Sequence, residues 1–421
     1  MSNKSAIYSV DSVDSFIKET IIQRNAFDDD PFIVTNLTRI QQRFNDWVTF
    51  FPSVEPFFAM KARYCTQIVT LLAGNSCRFD VASLSELKSA VEAGTETNNI
   101  IYSQPYKQPS HLLYALQHGI LSVCDSVNEI IKISEIAPLS NCKDPRILIR
   151  ILPTNSEGYA SVPLSAKYGA PLTRLLDLVQ AANKSNVTIV GISFHVGSDC
   201  HSAIPYQKTL ELSRIWWDRL ENELGDNLEI LDIGGGFPAH RDSDCKFSVI
   251  AKDINRSLSE VYGDIQSRMR VIAEPGRYMV ADSTFVVANV LAEKYHSEGG
   301  PSFVLNTGVY GALGNSTWEE AVFRGIVPYV LNLEESNGQS NSHSDKRFNG
   351  NHLQSPCEEE VVLWGPTCDV SDKLTGRYQL SGLKRGDWIV FPELGAYNIA
   401  TMTTFNGFPH PKIFYVRSPE L

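Results

Sequence analysis

The sequence predicts an α/β protein: a (β/α)8 barrel joined to a C-terminal β-sheet domain of β-sandwich-like character. Three observations carry that expectation. Short apolar, β-rich runs alternate with helix-patterned stretches over roughly 220 residues. Polar residues that bear chemistry stand where those runs end. Beyond about residue 281 strand-like runs continue with few helical stretches between them.

The runs of the first region are Phe57 to Met60, Cys77 to Phe79, Asn99 to Tyr102, Ile120 to Cys124, Arg146 to Leu152, Val187 to Phe194, Leu228 to Ile233 and Arg270 to Ala273. Between them lie segments such as Ser83-Leu-Ser-Glu-Leu-Lys-Ser-Ala-Val-Glu-Ala93, with apolar residues at helical spacing. An open doubly wound sheet has the same alternation. The residues at the run ends favour closure: Lys61, Asp80, Arg150, His195, the Gly234-Gly-Gly236 run and Glu274 would converge on one barrel mouth, whereas an open sheet would spread them along an edge.

After residue 281 the runs are Phe285 to Leu291, Phe303 to Leu305, Glu359 to Trp364 and Asp387 to Phe391, with the early strand Pro31-Phe-Ile-Val-Thr35 expected to join them. The expected organisation is an N-terminal segment 1–38 contributing to the β domain, a barrel over 39–280, and the β domain over 281–421. Within the last, residues 332–358 hold almost no apolar side chain and read as a mobile surface insertion, because they cannot bury enough surface to offset ordering.

A hydrophobic share of 43% and a charged share of 20% suit a globular chain, and a net charge of −11 lacks the basic footprint that nucleic acid requires. The first ten residues lack the apolar run of a signal peptide, and no stretch approaches a membrane span, so a cytoplasmic location is expected. Eight scattered cysteines without a C-x-x-C pair read as free thiols, mostly buried, with no metal site.

Chemistry is read from the run ends. The glycine run at 234–236 lets backbone N–H groups approach an anion, although a plain tight turn gives the same pattern. Ala273-Glu-Pro-Gly-Arg277 follows one strand later, and two adjacent barrel loops of this kind make the recurrent phosphate site of such barrels. Lys61 ends a run of Phe57, Phe58, Ala59 and Met60; a dry setting lowers a lysine's proton affinity and makes it a nucleophile toward a carbonyl. The alternative is a strand-end lysine reaching water. Glu274 suits a partner for a pyridine nitrogen or a structural salt bridge, and His195 suits ring stacking or a core position.

Together the segments resemble the fold type III pyridoxal-phosphate-dependent decarboxylases, the ornithine/diaminopimelate/arginine decarboxylase group, and within it the ornithine decarboxylase branch. The matching stretches are Pro56-Phe-Phe-Ala-Met-Lys61, Phe79-Asp-Val-Ala-Ser83, Ser193-Phe-His-Val-Gly-Ser198, Leu231-Asp-Ile-Gly-Gly-Gly236, Ala273-Glu-Pro-Gly-Arg277, Gly308-Val-Tyr-Gly311, Gly365-Pro-Thr-Cys-Asp369, Gly395-Ala-Tyr397 and Thr404-Phe-Asn-Gly-Phe408.

The resemblance implies decarboxylation of a basic or substituted L-amino acid, pyridoxal 5'-phosphate as cofactor, and a homodimer with active sites shared across its interface. It implies Lys61 as the Schiff-base lysine, Glu274 as the pyridine partner and His195 as the ring-stacking group. Ser198, Gly235, Gly236, Gly276, Arg277 and Tyr397 would hold phosphate, and Asp80 and Arg150 would line the cofactor. Cys368, as the acid toward Cα, and Asp369, as the side-chain anchor, would come from the partner subunit; Tyr310 and Phe405 would border the substrate. Lys167 and Asp372 match a cross-subunit ion pair.

One position departs. Where ornithine decarboxylases resemble one another in a Tyr-Asp-His segment, this chain has Trp318-Glu319-Glu320, so the acid facing the substrate's distal ammonium is one methylene longer. Three substrates stay open: ornithine, for putrescine and polyamine synthesis; a larger basic amino acid such as arginine or lysine; and a specialised amino acid of secondary metabolism, as in fungal loline-type alkaloid pathways. A non-catalytic regulatory homologue is the remaining reading, opposed by the retained Lys61, Glu274, Arg277, Cys368 and Asp369.

Overall fold

The computed structural model describes residues 6–25, 27–154, 158–225, 228–239, 247–296, 300–333, 360–380 and 382–419. Residues 39–282 and Gly395–Ala400 form one compact unit; residues 1–38, 283–394 and 401–421 form the other. The insertion expected at 332–358 lies outside the described residues, apart from its first two positions.

The larger unit is a closed barrel of eight parallel strands: β1 Val54–Ala59, β2 Arg78–Val81, β3 Ile100–Tyr102, β4 Leu121–Cys124, β5 Arg146–Arg150, β6 Thr188–Ser193, β7 Ile230–Asp232 and β8 Arg270–Ala273. Each pairs with its neighbours in sequence, and β8 pairs with β1 to close the ring. Each of the eight runs expected for the barrel overlaps one of these strands. Parallel strands flanked by helices are buried on both faces, which is why they appear as short unbroken apolar runs. Phe57, Ile101, Val123, Leu148, Val190, Ile230 and Ile272 form one buried cluster, with a member from each strand except β2. Among the connecting helices, Leu84–Glu92 begins where the Ser83 hydroxyl accepts from the Glu86 amide at 3.3 Å, satisfying a donor the helix itself cannot.

An aromatic cluster supports two loops of the mouth. Trp47 is fully buried, packs 4.8 Å from Phe237 and 5.5 Å from Tyr278, and donates its indole N–H to Val54 O at 3.0 Å. Phe237 directly follows the glycine run, and Tyr278 directly follows Arg277. Packing in the core thereby fixes where both loops leave their strands. Asp282 is held by Arg39 and Arg43; burial works against its charge, but the two guanidiniums prevail and its carboxyl lies below the usual range.

The second unit is a mixed sheet of nine strands among the described residues. Its main path runs Ile7–Ser9, Lys412–Arg417, Phe32–Asn36, Thr284–His296, Gly300–Leu305, Glu360–Trp364, Tyr378–Gln379. Trp388–Phe391 pairs with both Thr284–His296 and Tyr329–Val330. The helix Val13–Ile22 starts at a reciprocal cap between Ser12 and Ser15. It lays Val13, Phe16, Ile17 and Ile21 on Phe32, Val34, Phe285, Val287, Trp388 and Val390, an apolar stripe at helical spacing facing a sheet.

No described helix is long and apolar enough to cross a membrane. The six described cysteines are free thiols, but fewer are buried than the sequence suggested: Cys77, Cys124 and Cys200 are buried, Cys65 and Cys142 half-buried, and Cys368 exposed. Cys124 and Cys200 end strands and Cys77 directly precedes one, whereas the others lie in connecting segments nearer the surface. Burial pushes the Cys77 and Cys124 thiols up to about 12, which makes them inert.

Candidate active site

Lys61 stands in the short turn Met60–Ala62 that leaves β1, between the buried residues Met60 and Ala62. Asp80 pairs in register with Ala59 on the neighbouring β2, which brings its carboxylate to Lys61 as an ion pair. The Ser103 hydroxyl donates to the other Asp80 oxygen. Lys61 keeps 35% of its side-chain surface exposed. The expected loss of proton affinity is corrected here. Burial is the largest single influence and does favour the neutral amine, but Asp80, Glu274 and Tyr397 together outweigh it and raise the lysine's pKa.

Glu274 follows β8 and is 3% exposed. Its amide donates to Gly234 O at 2.7 Å. Asp232, at the end of β7, lies against it and is itself secured by the Ser193 hydroxyl at 2.8 Å and the Gly234 amide at 2.9 Å. Two carboxyls this deeply buried cannot both ionise freely. Burial, and then the Asp232 charge, pushes the Glu274 carboxyl well above its usual range; burial raises Asp232 to about 6 even though hydrogen bonds from the Gly234 amide, Glu274 and Ser193 pull it down. Glu274 Oε1 has no hydrogen-bond partner among the described residues.

His195 follows β6 and accepts from the Gly197 amide at Nδ1, 3.1 Å away, which places the neutral ring's proton on Nε2. Burial, Arg150 and Lys61 all lower its pKa, so the ring stays neutral. Arg150, 7% exposed, ends β5 with its guanidinium 4.9 Å from the centre of the Tyr168 ring.

The anion cradle is equally built. A Cβ on Gly235 would sit 2.6 Å from Glu274 O and 2.8 Å from His195 Nε2; one on Gly276 would sit 2.9 Å from the Tyr397 hydroxyl. Only glycine leaves that space open. The Tyr206 hydroxyl donates to Gly235 O at 2.9 Å and holds the loop. Arg277 donates to the Ser198 hydroxyl at 3.1 Å and lies 5.1 Å over the Tyr397 ring, and Tyr397 is tied by its amide to Ala62 O at 2.8 Å. Gly236 neighbours this set; a Cβ there would meet Gly197 O at 2.4 Å.

The remaining expected residues gather in the β unit. The Tyr310 hydroxyl donates to Asp369, and its ring lies 4.5 Å from Phe405. Asp369 also accepts from the Ser371 amide at 2.9 Å; that bond, then the phenol, lowers its pKa. Cys368 is exposed beside it. Glu319 is half-buried, with its amide on Asn315 O at 2.9 Å. Asp372 is buried and accepts from the Val309 and Thr367 amides at 2.8 and 2.9 Å. Lys167, the expected ion-pair partner of Asp372 across subunits, lies 5.1 Å over the Tyr168 ring.

A family model described as the pyridoxal binding domain of pyridoxal-dependent decarboxylases matches residues 37–281. The chain belongs to this family. Mouse ornithine decarboxylase is 32% identical over 93% of this chain and 81% of its own length. Antizyme inhibitor 2 of Xenopus laevis is 34% identical over 92% of this chain and 81% of its own length. The crystal structure of the Paramecium bursaria Chlorella virus arginine decarboxylase bound to agmatine superposes with a TM-score of 0.81 at 26% identity, covering 96% of this chain and 100% of that one.

Pyridoxal 5'-phosphate fits the residues present. Among the described residues a buried Glu274 oxygen lacks a partner, as a pyridine nitrogen would require, and the Gly235 and Gly276 cradle would be filled by any Cβ. Sequence reasoning passed over Asp232, Ser193, Ser103 and Tyr206, which hold the expected residues. Asp232 stands in Leu231-Asp-Ile233, and the sequence signal for it is an acid within an otherwise apolar strand.

Proposed function

We propose that the chain removes the α-carboxylate of a basic or substituted L-amino acid as CO₂, with ornithine the leading substrate and putrescine its product. The observation that carries this reading is the buried Glu274–Asp232 pair at the same barrel mouth as Lys61 and the glycine cradle. Bound pyridoxal phosphate supplies an electron sink for the charge left at Cα when CO₂ departs. Lys61 holds the cofactor and, with Asp80 beside it, exchanges a proton at Nζ. Glu274 Oε1 would share a proton with the cofactor's pyridine nitrogen, favoured because burial raises both carboxyls of the pair. His195, a neutral imidazole, would stack on the cofactor's ring, and Ser198, Gly235, Gly236, Gly276, Arg277 and Tyr397 would hold its phosphate. Arg150 borders the same mouth.

Cys368 Sγ delivers a proton to Cα, and Asp369 and Glu319 hold the distal ammonium, with Tyr310 and Phe405 bordering the substrate. We assign Cys368 and Asp369 to the site of a second subunit in a cytoplasmic homodimer with two shared sites. The domain limits we adopt are 1–38, 39–280 and 281–421. The longer acid at Glu319 supports a larger basic amino acid, or a secondary-metabolism substrate of the alkaloid type, as the second reading. The likeness to an antizyme inhibitor supports a third, a non-catalytic homologue; retention of Lys61, Cys368 and Asp369 weighs against it.

The test is a CO₂-release screen over ornithine, lysine, arginine and N-substituted amino acids with excess cofactor. Release from one of them, lost in Lys61→Ala, is expected. No release from any by the wild-type protein would leave the non-catalytic reading standing.

A further inference from the structure

The Cys368–Asp369 pair is gripped from two sides. Tyr310 holds Asp369. Asn406 holds Cys368: its side-chain oxygen accepts from the Cys368 amide at 3.2 Å and from the thiol at 3.5 Å. Asn406 reaches them from a left-handed backbone conformation (φ 55°, ψ 14°), which asparagine tolerates better than most side chains. The two grips are one unit. The Thr403 amide and hydroxyl both donate to Tyr310 O, at 3.0 and 3.1 Å, and the Phe405 amide donates to the Thr403 hydroxyl at 3.3 Å. The Phe405 ring covers Tyr310, and the Gly407 amide closes the turn on Thr404 O at 2.9 Å.

We propose that Asn406 is a positioning residue for the Cys368 thiol, fixing the loop backbone and the direction of the S–H bond together. The inference rests on the reading of Cys368 as the proton donor to Cα. In that step the S–H bond breaks as the C–H bond forms, and the thiolate left behind takes a proton from water. A thiol on an exposed loop samples several rotamers, and one acceptor shared by its own amide and its own S–H removes that freedom. The shared acceptor also bonds the neutral thiol and not the thiolate, so it slows any reaction that needs the thiolate.

The experiment uses the holoenzyme and two readouts: the rate of Cys368 alkylation by iodoacetamide, followed by peptide mapping, and the amine formed per CO₂ released. Asn406→Gly removes the side chain while suiting the positive φ; Asn406→Ser, whose hydroxyl is too short to reach, replaces it if the glycine loop does not fold. Either variant should alkylate roughly two- to tenfold faster, the factor expected for one lost hydrogen bond, and should yield less than one amine per CO₂. Asn406→Asp, which keeps the acceptor, should restore both readouts toward wild type. Variants matching wild type in alkylation rate and in stoichiometry would overturn the proposal. Should Cys368→Ala still give one amine per CO₂, the underlying reading of Cys368 fails instead, whatever Asn406 does.

Discussion

Lys61 and Asp80 face each other across β1 and β2 as an ion pair whose carboxylate is completed by Ser103. The lysine therefore rests as an ammonium, and its nucleophilic form is reached only by losing a proton against two acids, Asp80 and Glu274.

Replacing Asp80 with Asn removes the nearer charge, so the lysine's pKa falls toward what burial alone would give. The rate at which free pyridoxal phosphate combines with the apoprotein, followed by absorbance against pH, should reach half its maximum at least about one unit lower than in wild type. An unshifted profile would mean that the ion pair does not control Lys61.

The Glu274–Asp232 pair makes stability depend on pH in an unusual direction. The Asp232 carboxyl is raised from 3.8 to about 6 in the folded state. Between those values the folded chain binds more protons than the unfolded one, so this group's contribution is full below the unfolded pKa and is lost as pH rises through the folded one. Melting of the apoprotein at pH 5 and pH 7 should show Asp232→Asn losing less stability over that interval than wild type, by about 1 kcal/mol. Equal losses in both proteins would rule the linkage out.

Glu319 carries the departure in specificity. With Asp369 retained, shortening the acid through Glu319→Asp should raise kcat/KM for ornithine relative to lysine and arginine, by roughly tenfold if one methylene decides the fit. Unchanged ratios across the three amino acids would show that chain length at this position does not set preference.

Much of this was legible in the sequence, for a physical reason. Barrel strands are buried on both faces, so runs such as Arg146 to Leu152 stand out by apolarity alone, and the residues that end them are placed by the fold. The strands that escaped notice depend on distant partners. Ile7–Ser9 is exposed along its length and pairs in parallel with Lys412–Arg417 at the other end of the chain, with Tyr8 against Phe16 and Phe414. The same limit explains the error at Lys61. Four apolar neighbours in sequence announced a dry site, whereas the acids that reverse its effect come from β2 and from the end of β8. Asp232 and Asn406 were likewise hidden, since each acts on a residue far from it in sequence.

The proposed sharing of sites between two subunits predicts complementation. Lys61→Ala and Cys368→Ala proteins, each impaired alone, should regain activity when mixed, because one of the two sites in a hybrid dimer is rebuilt intact. Recovery toward about a quarter of wild type is the statistical expectation for random exchange of equal subunits with two shared sites. Mass-verified exchange with no recovery would contradict the assignment of Cys368 to the partner's site.

The central claim is that Lys61 is the residue that binds the cofactor covalently. Its most direct test is borohydride reduction of the cofactor-loaded protein followed by peptide mass mapping. A phosphopyridoxyl group on the peptide that contains Lys61, absent from Lys61→Ala, is the predicted result. Labelling of a different lysine, or none under cofactor excess, would contradict the account.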